Sequence, residues 1–305
     1  MSQIQPIKKA IIPVAGLGTR MLPAAKAIPK ELLPVVDKPL IQYIVEEAIK
    51  AGIEEIILVT RSGKEAIENH FDADFELETQ LERNGKSKLL TSIKNIIPSS
   101  VQVISLRQPE ALGLGHAILC ASKTIGDDPF AVMLPDVLVM PSTNADSLND
   151  LSIMVKQWNE TGKGQIMVET VSEDQVHQYG IADIGSVEID IGKSAVLNAL
   201  VEKPAKEIAP SNLAVVGRYI LPNRIMQILR DINPDEGGEI QLTDALDELL
   251  KYDSMYAYCM PSTTHDCGNK LGYLKANIAM GMMHQDLKKE LRSYIKSLAK
   301  KSKIN

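Results

Sequence analysis

The sequence predicts an α/β protein: a Rossmann-like three-layer sandwich with a mostly parallel central sheet and an inserted, smaller mixed sheet. Short runs rich in Ile and Val alternate with helical periodicity through the first half of the chain, a pattern typical of parallel sheets covered on both faces. The segment from about 165 to 219 is rich in predicted strands with Gly and Pro punctuation, and we interpret it as the insertion. The 305 residues are enough to bury a sizeable core.

The first half of the chain is predicted to hold four strands joined by helices. Each strand is a short apolar run, and the first one ends at glycines. The strands are expected at 9–15, 55–60, 101–106 and 130–134, and the helices at 39–52, 62–70 and 113–123. A charged segment, 72–95, has helical propensity and is expected to leave the core as an excursion.

The second half is predicted to add three strands, three helices and a basic tail. The strands are expected at 165–171, 195–201 and 213–221, and the helices at 222–231, 240–252 and 269–283. We therefore predict a single domain over residues 1–283 and a helical tail over 284–305. The tail has an apolar stripe of Leu287, Leu291, Tyr294, Ile295 and Leu298. Such a stripe is typical of a helix that packs on its own domain or on a second subunit, and contact with an anionic membrane is the alternative.

Charge and composition argue against several classes of protein. The 33 Lys and Arg residues and 39 Asp and Glu residues give a net charge of −6, which argues against a broad nucleic-acid-binding face. No uncharged run approaches the roughly 18 residues that a membrane-spanning helix needs, and the N-terminal apolar run is too short for a signal peptide. The three cysteines form no Cys-x-x-Cys pair, which argues against a disulfide framework and predicts a cytoplasmic protein.

A glycine-rich turn directly follows the first predicted strand. It leads to Arg20 and consists of Ala15, Gly16, Leu17, Gly18 and Thr19. Glycines let backbone N–H groups approach phosphates, and an arginine adds a bidentate donor. The spacing matches neither the dinucleotide fingerprint nor a Walker loop, so a plain structural turn is the alternative. Two lysines and three prolines follow closely, which favours a stiff anion-binding loop.

Longer motifs extend this signal along the chain. Residues 16–43 read GLGTRMLPAAKAIPKELLPVVDKPLIQY, and later come RQPEALGLGHAI, LPD, QIMVE, YGIAD, VEKP, APSNLAVVGRYIL, EIQLTDAL and HDCGNKLGY. This series resembles the sugar-nucleotide pyrophosphorylases, also called nucleotidyltransferases, in the order of that family's motifs and from about residue 8 to about residue 283. The family usually has Thr where this chain has Ala25, and the basic tail lies outside the resemblance.

The resemblance implies an enzyme from the uridylyl-transferring branch of the family. An oxygen of glucose 1-phosphate would attack the α-phosphorus of UTP directly, giving UDP-glucose and releasing pyrophosphate. Because two anions must meet, such a site needs cations and a metal, here Mg²⁺, more than an acid–base pair. The resemblance also implies a homo-oligomer, a tetramer or a dimer.

The resemblance further implies which residues bind phosphates. Arg20 and the backbone from Gly16 to Thr19 suit the β- and γ-phosphates that leave. Lys26 suits the α-phosphate, where charge develops in the transition state, and Lys203 suits the phosphate of the sugar phosphate. The plain alternative for each lysine is a solvated surface charge.

Metal and base recognition are expected at the ends of two other predicted strands. Asp136 closes an apolar strand and suits Mg²⁺, which prefers carboxylate oxygens, and Asp266 is the second candidate ligand. Gln108 can present a donor and an acceptor to the uracil edge, with the walls of the base site expected at Ala15 and Gly113. Transition-metal and thiol chemistry at His265 to Cys267 are discounted, because no further His or Cys lies at ligand spacing.

The sugar side of the site is expected in the middle of the chain. Carboxylate oxygens suit sugar hydroxyls, and small residues let backbone approach the ring. The candidates beside Lys203 are Gly180, Glu202, Asn212 and Val216.

Two alternatives to a uridylyltransferase are considered. A nucleotide-sensing protein that kept the fold without catalysis should have lost charged site residues, and those residues are present here. A thymidylyltransferase of the same family would use dTTP, but the PKELLP and HDCGNK stretches favour the uridylyl type.

Overall fold

The computed structural model describes residues 4–140 and 147–302. The strands are β1 (Lys9–Pro13), β2 (Pro34–Val35), β3 (Lys38–Pro39), β4 (Glu55–Thr60), β5 (Gln102–Arg107), β6 (Phe130–Met133), β7 (Val137–Val139), β8 (Gly164–Thr170), β9 (Gly180–Asp183), β10 (Ser194–Leu197), β11 (Ala199–Glu202), β12 (Leu213–Leu221), β13 (Met255–Cys259) and β14 (Thr264–Asp266). The helices are α1 (Leu40–Lys50), α2 (Glu65–Asn69), α3 (Phe75–Arg83), α4 (Ser87–Lys94), α5 (Gly113–Cys120), α6 (Ser122–Ile125), α7 (Asp150–Thr161), α8 (Ile225–Asp231), α9 (Leu242–Leu250), α10 (Lys270–Met283) and α11 (Lys288–Ser302).

Eight strands of the central sheet follow the order β10-β13-β8-β12-β6-β1-β4-β5. The strands β6, β1, β4 and β5 are parallel to one another. The strand β12 runs antiparallel to both of its neighbours, β6 and β8, so β8 and its parallel neighbour β13 point the same way as β6. The predicted mostly parallel sheet is therefore confirmed.

Helices cover both faces of this sheet. Along β1, Ala10 and Ile12 pack on the side of α1 and α7, whereas Ile11 packs on the side of α5, α8 and α9. This alternation follows from the two-residue period of a strand, and a sheet buried on both faces needs apolar residues at every position. The predicted three-layer sandwich is confirmed.

The strands of the segment predicted as an insertion, 165–219, are divided between the central sheet and a small antiparallel pair. The strands β8 and β12 belong to the central sheet, and β10 pairs with β13 at its edge. The smaller antiparallel part is formed by β9 and β11, which attach to β12 through β9. The single strand predicted at 195–201 is two strands, because the chain changes partner at Asn198, whose N–H donates to the carbonyl of Asp183 at 2.8 Å.

The sequence analysis did not predict the helix α7 or the strand β13. The helix α7 has Asn149 as its N-cap, which accepts a hydrogen bond from the N–H of Ser152, and its apolar stripe includes Met154 and Trp158. The strand β13 has only five residues, too few for its alternation to stand out in the sequence. The domain boundaries at 1–283 and 284–305 stay predictions, and residues 1–3, 141–146 and 303–305 lie outside the described residues.

The predicted tail is helical over α11, and it packs against α10. A Cβ atom at Gly281 of α10 would lie 2.7 Å from Leu291, so the two helices approach closely. Part of the apolar stripe stays exposed, including Leu287, Tyr294 and Leu298. The charged segment 72–95 forms the helices α3 and α4, as its helical propensity predicts. Neither helix contains a buried residue, so the segment lies outside the core. Among the described residues, no helix is long and apolar enough to cross a membrane.

Candidate active site

A cavity of about 1110 Å³ opens at the carboxyl ends of β6 and β8 and extends over the small β9–β11 pair to α9 and α10. Parallel strands end at the same edge of a sheet, so residues from distant parts of the sequence meet there. Seven residues predicted for the site line this cavity: Arg20, Asp136, Gly180, Glu202, Lys203, Val216 and Asp266.

Asp136 forms the base of the cavity with two cations. Its Oδ2 accepts a hydrogen bond of 2.6 Å from Nζ of Lys30 and lies 3.7 Å from Nη2 of Arg20. Burial would raise the pKa of Asp136, but the charges of Lys30 and Arg20 and the hydrogen bond from Lys30 lower it below its ordinary value. Asp136 is therefore held as a carboxylate.

Asp266 faces the same point from the other side. Its Oδ2 accepts from Nη1 of Arg20 at 3.3 Å and from Nδ2 of Asn269 at 2.9 Å, and its Oδ1 accepts from the backbone N–H of Gly268 at 2.8 Å. A Cβ atom at Gly268 would lie 2.6 Å from Nη2 of Arg20, 2.7 Å from Oδ2 of Asp136 and 2.9 Å from Oδ1 of Asp266. The glycine lets the two carboxylates and the guanidinium converge on this backbone, because a larger residue would displace their end groups.

The donor set fits Mg²⁺. Two carboxylates that face one point match the one or two that commonly hold Mg²⁺ while substrate phosphates and water complete its shell. No group of three or more His, Cys, Asp and Glu side chains with ligand geometry occurs among the described residues.

A second polar corner lies across the cavity at Glu202 and Lys203. Nζ of Lys203 lies 3.1 Å from Oε1 of Glu202, and Oε2 of Glu202 accepts from the hydroxyl of Thr243 at 3.1 Å. Lys203 has a φ of 45°, which is uncommon for a residue with a side chain. Its N–H donates to the carbonyl of Tyr179 at 3.0 Å, which fixes this backbone and directs an exposed ammonium into the cavity.

The glycine-rich turn lies beside the cavity rather than in its lining. Gly16, Leu17 and Thr19 are exposed, and a short 3₁₀ turn over Thr19–Met21 carries Arg20 from the turn into the cavity. Ala15, two residues after the end of β1, is buried. Exposed backbone N–H groups next to Arg20 are what a phosphate chain would contact.

Lys26 is exposed, and its ammonium makes no hydrogen bond or ion pair within the described part of the chain. Neither Lys26 nor Lys30 is among the residues that line the cavity. The lysine that reaches Asp136 is Lys30, four residues later, in a separate 3₁₀ turn over Lys30–Leu32. The α-phosphate role predicted for Lys26 stays a prediction, and Lys30 is a second candidate because it contacts Asp136.

The residues predicted for base recognition lie away from the described cavity lining. Gln108 is buried, and its Nε2 contacts the carbonyl of Gly113 at 3.0 Å and Nδ1 of His116 at 3.1 Å. Gly113 has a φ of +87°, and a Cβ atom there would lie 2.9 Å from Cβ of Glu239. The glycine is thus required for packing against the 239–240 segment, whereas a role in contacting a base stays a prediction.

Asn212 is also absent from the cavity lining. Its Nδ2 donates to the carbonyl of Val171 at 3.1 Å, so the side chain links β12 to the end of β8. The members of this stretch that line the cavity are Val215, Val216, Gly217 and Tyr219. Asn212 therefore has a structural contact, and its predicted role on the sugar side stays a prediction.

Sequence reasoning missed several polar residues around the cavity. Lys30 is followed by Glu31, which is fully buried and accepts from Nζ of Lys64 at 2.7 Å, and this pair fixes the turn that carries Lys30. The signal was a Lys-Glu pair between prolines and leucines, which is an unusual place for charges. Arg218 was overlooked inside an apolar strand, where a charged residue signals a buried partner.

Glu169 is a further cavity residue without a predicted role. Burial raises its pKa, although a hydrogen bond from the hydroxyl of Thr264 opposes this effect. Cys267, in contrast, is unsuited to nucleophilic chemistry, because burial and the charges of Asp266 and Asp136 raise the pKa of its thiol to about 12.

Comparisons with known proteins cover nearly the whole chain. The profile of a family described as nucleotidyl transferase matches residues 9–281. The chain is similar to a UTP–glucose-1-phosphate uridylyltransferase of Haemophilus influenzae, with 52% identity over 292 residues that cover 96% of this chain and 99% of that protein.

Solved structures give the same picture. The chain is similar to a UTP-bound UGPase from Acinetobacter baumannii, with a TM-score of 0.88 and 52% identity over 95% of this chain and 98% of that one. It is also similar to a UDP-glucose pyrophosphorylase in complex with UDP-glucose, with a TM-score of 0.81 and 40% identity over 91% of this chain and 100% of that one. The matched residues 9–281 include every residue that lines the cavity.

Proposed function

The chain belongs to the nucleotidyl transferase family, and on that premise we propose that it transfers the uridylyl group of UTP to glucose 1-phosphate, giving UDP-glucose and pyrophosphate. The nucleotidyltransferase expected from the sequence motifs is thereby confirmed. Relatives that carry the uridylyltransferase name are about half identical to this chain over almost its full length, which supports UTP and glucose 1-phosphate as its substrates.

The observation that carries this proposal is the meeting of carboxylates and cations at one cavity. Asp136 and Asp266 face a common point, Arg20 contacts both, and Lys30 contacts Asp136 from behind. Lys203 enters the same cavity from the opposite wall. Such an arrangement suits the joining of two phosphorylated anions better than it suits acid–base chemistry on a neutral substrate.

The reaction proceeds by direct displacement. A phosphate oxygen of glucose 1-phosphate is already anionic near neutral pH, so it needs no general base. The new bond joins that oxygen to the α-phosphorus, the bond from the α-phosphorus to the bridging oxygen breaks, and pyrophosphate leaves with the electron pair.

Each cation has a place in this displacement. Arg20 and the exposed turn beside it bind the β- and γ-phosphates, so they stabilise the charge that builds on pyrophosphate. Lys26 and Lys30 are the two candidates for the α-phosphate, and we propose Lys30 because it contacts Asp136. Lys203 binds the attacking sugar phosphate and holds it near the α-phosphorus, which lowers the entropic cost of bringing two anions together.

Asp136 and Asp266 would hold Mg²⁺. When bound, the metal would supply positive charge that offsets the negative charge of the reacting phosphates. Arg20 bridges both carboxylates in the structure and keeps them oriented toward the common point.

The glucose ring is assigned to the corner formed by Glu202, Gly180 and Val216. Glu202 offers carboxylate oxygens to sugar hydroxyls, and Thr243 orients it by donating to Oε2. The uracil is assigned to the side of Gln108, whose Nε2 is engaged with Gly113 and His116.

A UTP and dTTP competition assay tests this proposal. Purified protein with Mg²⁺, glucose 1-phosphate and equal concentrations of both nucleotides should form UDP-glucose and pyrophosphate, with UTP consumed preferentially. Binding of UTP without turnover by a protein with an intact fold would support the nucleotide-sensing alternative. A clear preference for dTTP would support the thymidylyltransferase instead.

We also propose that the enzyme is a cytoplasmic homo-oligomer, a tetramer or a dimer. The free thiols of Cys120, Cys259 and Cys267 suit a reducing compartment. The apolar positions left exposed on α11 suit a contact with a second copy. Light scattering that gives the mass of one chain would overturn the oligomer.

A further inference from the structure

Arg218 is a fully buried arginine in β12, directly after Gly217 at the cavity wall. Its guanidinium forms a two-pronged contact with Glu47 of α1: Nε donates to Oε1 at 3.0 Å and Nη2 donates to Oε2 at 2.8 Å. Neither Arg218 nor Glu47 lines the cavity. Because the pair lies outside the cavity lining, direct binding of a substrate does not explain it.

Arg218 also donates to the turn that carries Asp136, and its Nη1 lies 3.3 Å from the carbonyl of Gly217 as well. Nη1 donates to the carbonyl of Leu134 at 3.1 Å, and Nη2 donates to the carbonyl of Val137 at 2.8 Å. These carbonyls lie two residues before and one residue after Asp136. A single side chain therefore forms hydrogen bonds to the turn on both sides of the carboxylate.

Backbone contacts also hold this turn: the N–H of Leu134 donates to the carbonyl of Gly217 at 2.9 Å, and the N–H of Cys267 donates to the carbonyl of Asp136 at 2.7 Å. Pro135 has no N–H to donate, and Arg218 adds side-chain contacts on both sides of it. Buried carbonyls need partners, and the planar guanidinium provides several donors in fixed directions, which an ammonium cannot do. Glu47 in turn balances the buried charge and fixes the plane of the guanidinium.

We infer that Arg218 and Glu47 are a positioning pair for the metal site: they hold the 134–137 turn so that Asp136 faces Asp266 across the common point. The inference rests on the proposed function in one respect, the assignment of Asp136 as a metal ligand. Residues that orient metal ligands from behind commonly change metal affinity by 10- to 100-fold when they are replaced.

The test compares Arg218→Lys and Glu47→Gln with a control, Tyr258→Phe. Tyr258 donates a buried hydrogen bond of 2.9 Å to Asp150 and does not line the cavity, so its variant loses a buried polar contact elsewhere in the same fold. Two quantities are measured for each full-length protein: the Mg²⁺ concentration for half-maximal formation of UDP-glucose, and the affinity for Mn²⁺ alone by electron paramagnetic resonance.

The expected result is a rise of about 10-fold in half-saturating Mg²⁺ for Arg218→Lys, a smaller rise for Glu47→Gln, and a change below two-fold for Tyr258→Phe. Mn²⁺ affinity should fall in the same order, while KM for UTP at saturating Mg²⁺ stays within about two-fold. Metal affinities equal to that of the wild type in both variants would overturn the inference, as would an equal loss in the control.

Two features keep the test decisive. Glu47→Gln preserves the shape of its side chain, so it decides the question if Arg218→Lys does not fold. If the wild-type protein forms no UDP-glucose, the proposed function fails, but the Mn²⁺ affinities still report whether the pair positions the two carboxylates.

Discussion

Nζ of Lys30 lies 2.6 Å from Oδ2 of Asp136, and both side chains are largely shielded from solvent. This contact places a cation directly behind the carboxylate that is proposed to hold the metal. It also distinguishes Lys30 from Lys26, which is exposed four residues earlier in the same loop. The two lysines therefore form a matched pair for experiment.

Replacing Lys30 should be far more damaging than replacing Lys26. We expect Lys30→Met to lower kcat by about 100-fold or more, the loss typical for a group that stabilises developing charge. Lys26→Met should retain activity within a few-fold of the wild type, measured by the rate of pyrophosphate release. An equal loss in both variants would support the predicted role of Lys26.

Replacing Gly268 should disrupt the convergence of charges without unfolding the chain. A Cβ atom there would press on Arg20, Asp136 and Asp266 at 2.6 to 2.9 Å. We expect Gly268→Ala to raise half-saturating Mg²⁺ and to reduce kcat. Gly237→Ala, whose new Cβ would meet only an exposed Asp235 side chain, is the control. Wild-type metal dependence of Gly268→Ala would show that the carboxylates do not act together.

Lys203 allows stability and binding to be separated. Its φ of 45° favours glycine, so Lys203→Gly should be more stable than Lys203→Ala by about 1 kcal/mol, measured by denaturant unfolding. Both variants lose the ammonium, and both should therefore show a strongly raised KM for glucose 1-phosphate. A normal KM in either variant would remove Lys203 from the sugar-phosphate site.

We expect the Glu31–Lys64 pair to stabilise the fold, so that breaking it lowers the free energy of unfolding substantially. Lys64→Met leaves the fully buried Glu31 without its cation, and Oε1 of Glu31 has no hydrogen-bond partner among residues 4–140 and 147–302. We expect a loss of about 3–5 kcal/mol in the free energy of unfolding. Lys206→Met breaks an ion pair of the same 2.7 Å length at an exposed position and should change stability far less. Similar unfolding midpoints for both variants would contradict a structural role for the buried pair.

Much of the fold could be predicted because its signals are local. The strand that ends before Gly16 and the strand that ends before Asp136 are short apolar runs, and parallel strands bring their carboxyl ends to one edge. That rule predicts that Arg20 and Asp136 lie at the same edge of the sheet. The change of partner at Asn198 could not be predicted in the same way, because strand pairing depends on residues distant in sequence.

Which of Lys26 and Lys30 contacts Asp136 could not be predicted from the sequence, for a different reason. Each lysine ends or begins its own 3₁₀ turn in a loop with three prolines, and the direction of each side chain depends on how those turns follow one another. Likewise, the role of Arg218 depends on Glu47, which lies 171 positions away in the chain. Composition and motif order cannot fix such contacts.

The most direct test of the central claim is a crystal structure of the protein with UDP-glucose and Mg²⁺. We predict the metal between Asp136 and Asp266, a product phosphate oxygen within hydrogen-bond distance of Nζ of Lys203, and the glucose ring against Glu202. Product bound outside this cavity, or a metal that touches neither carboxylate, would contradict the account.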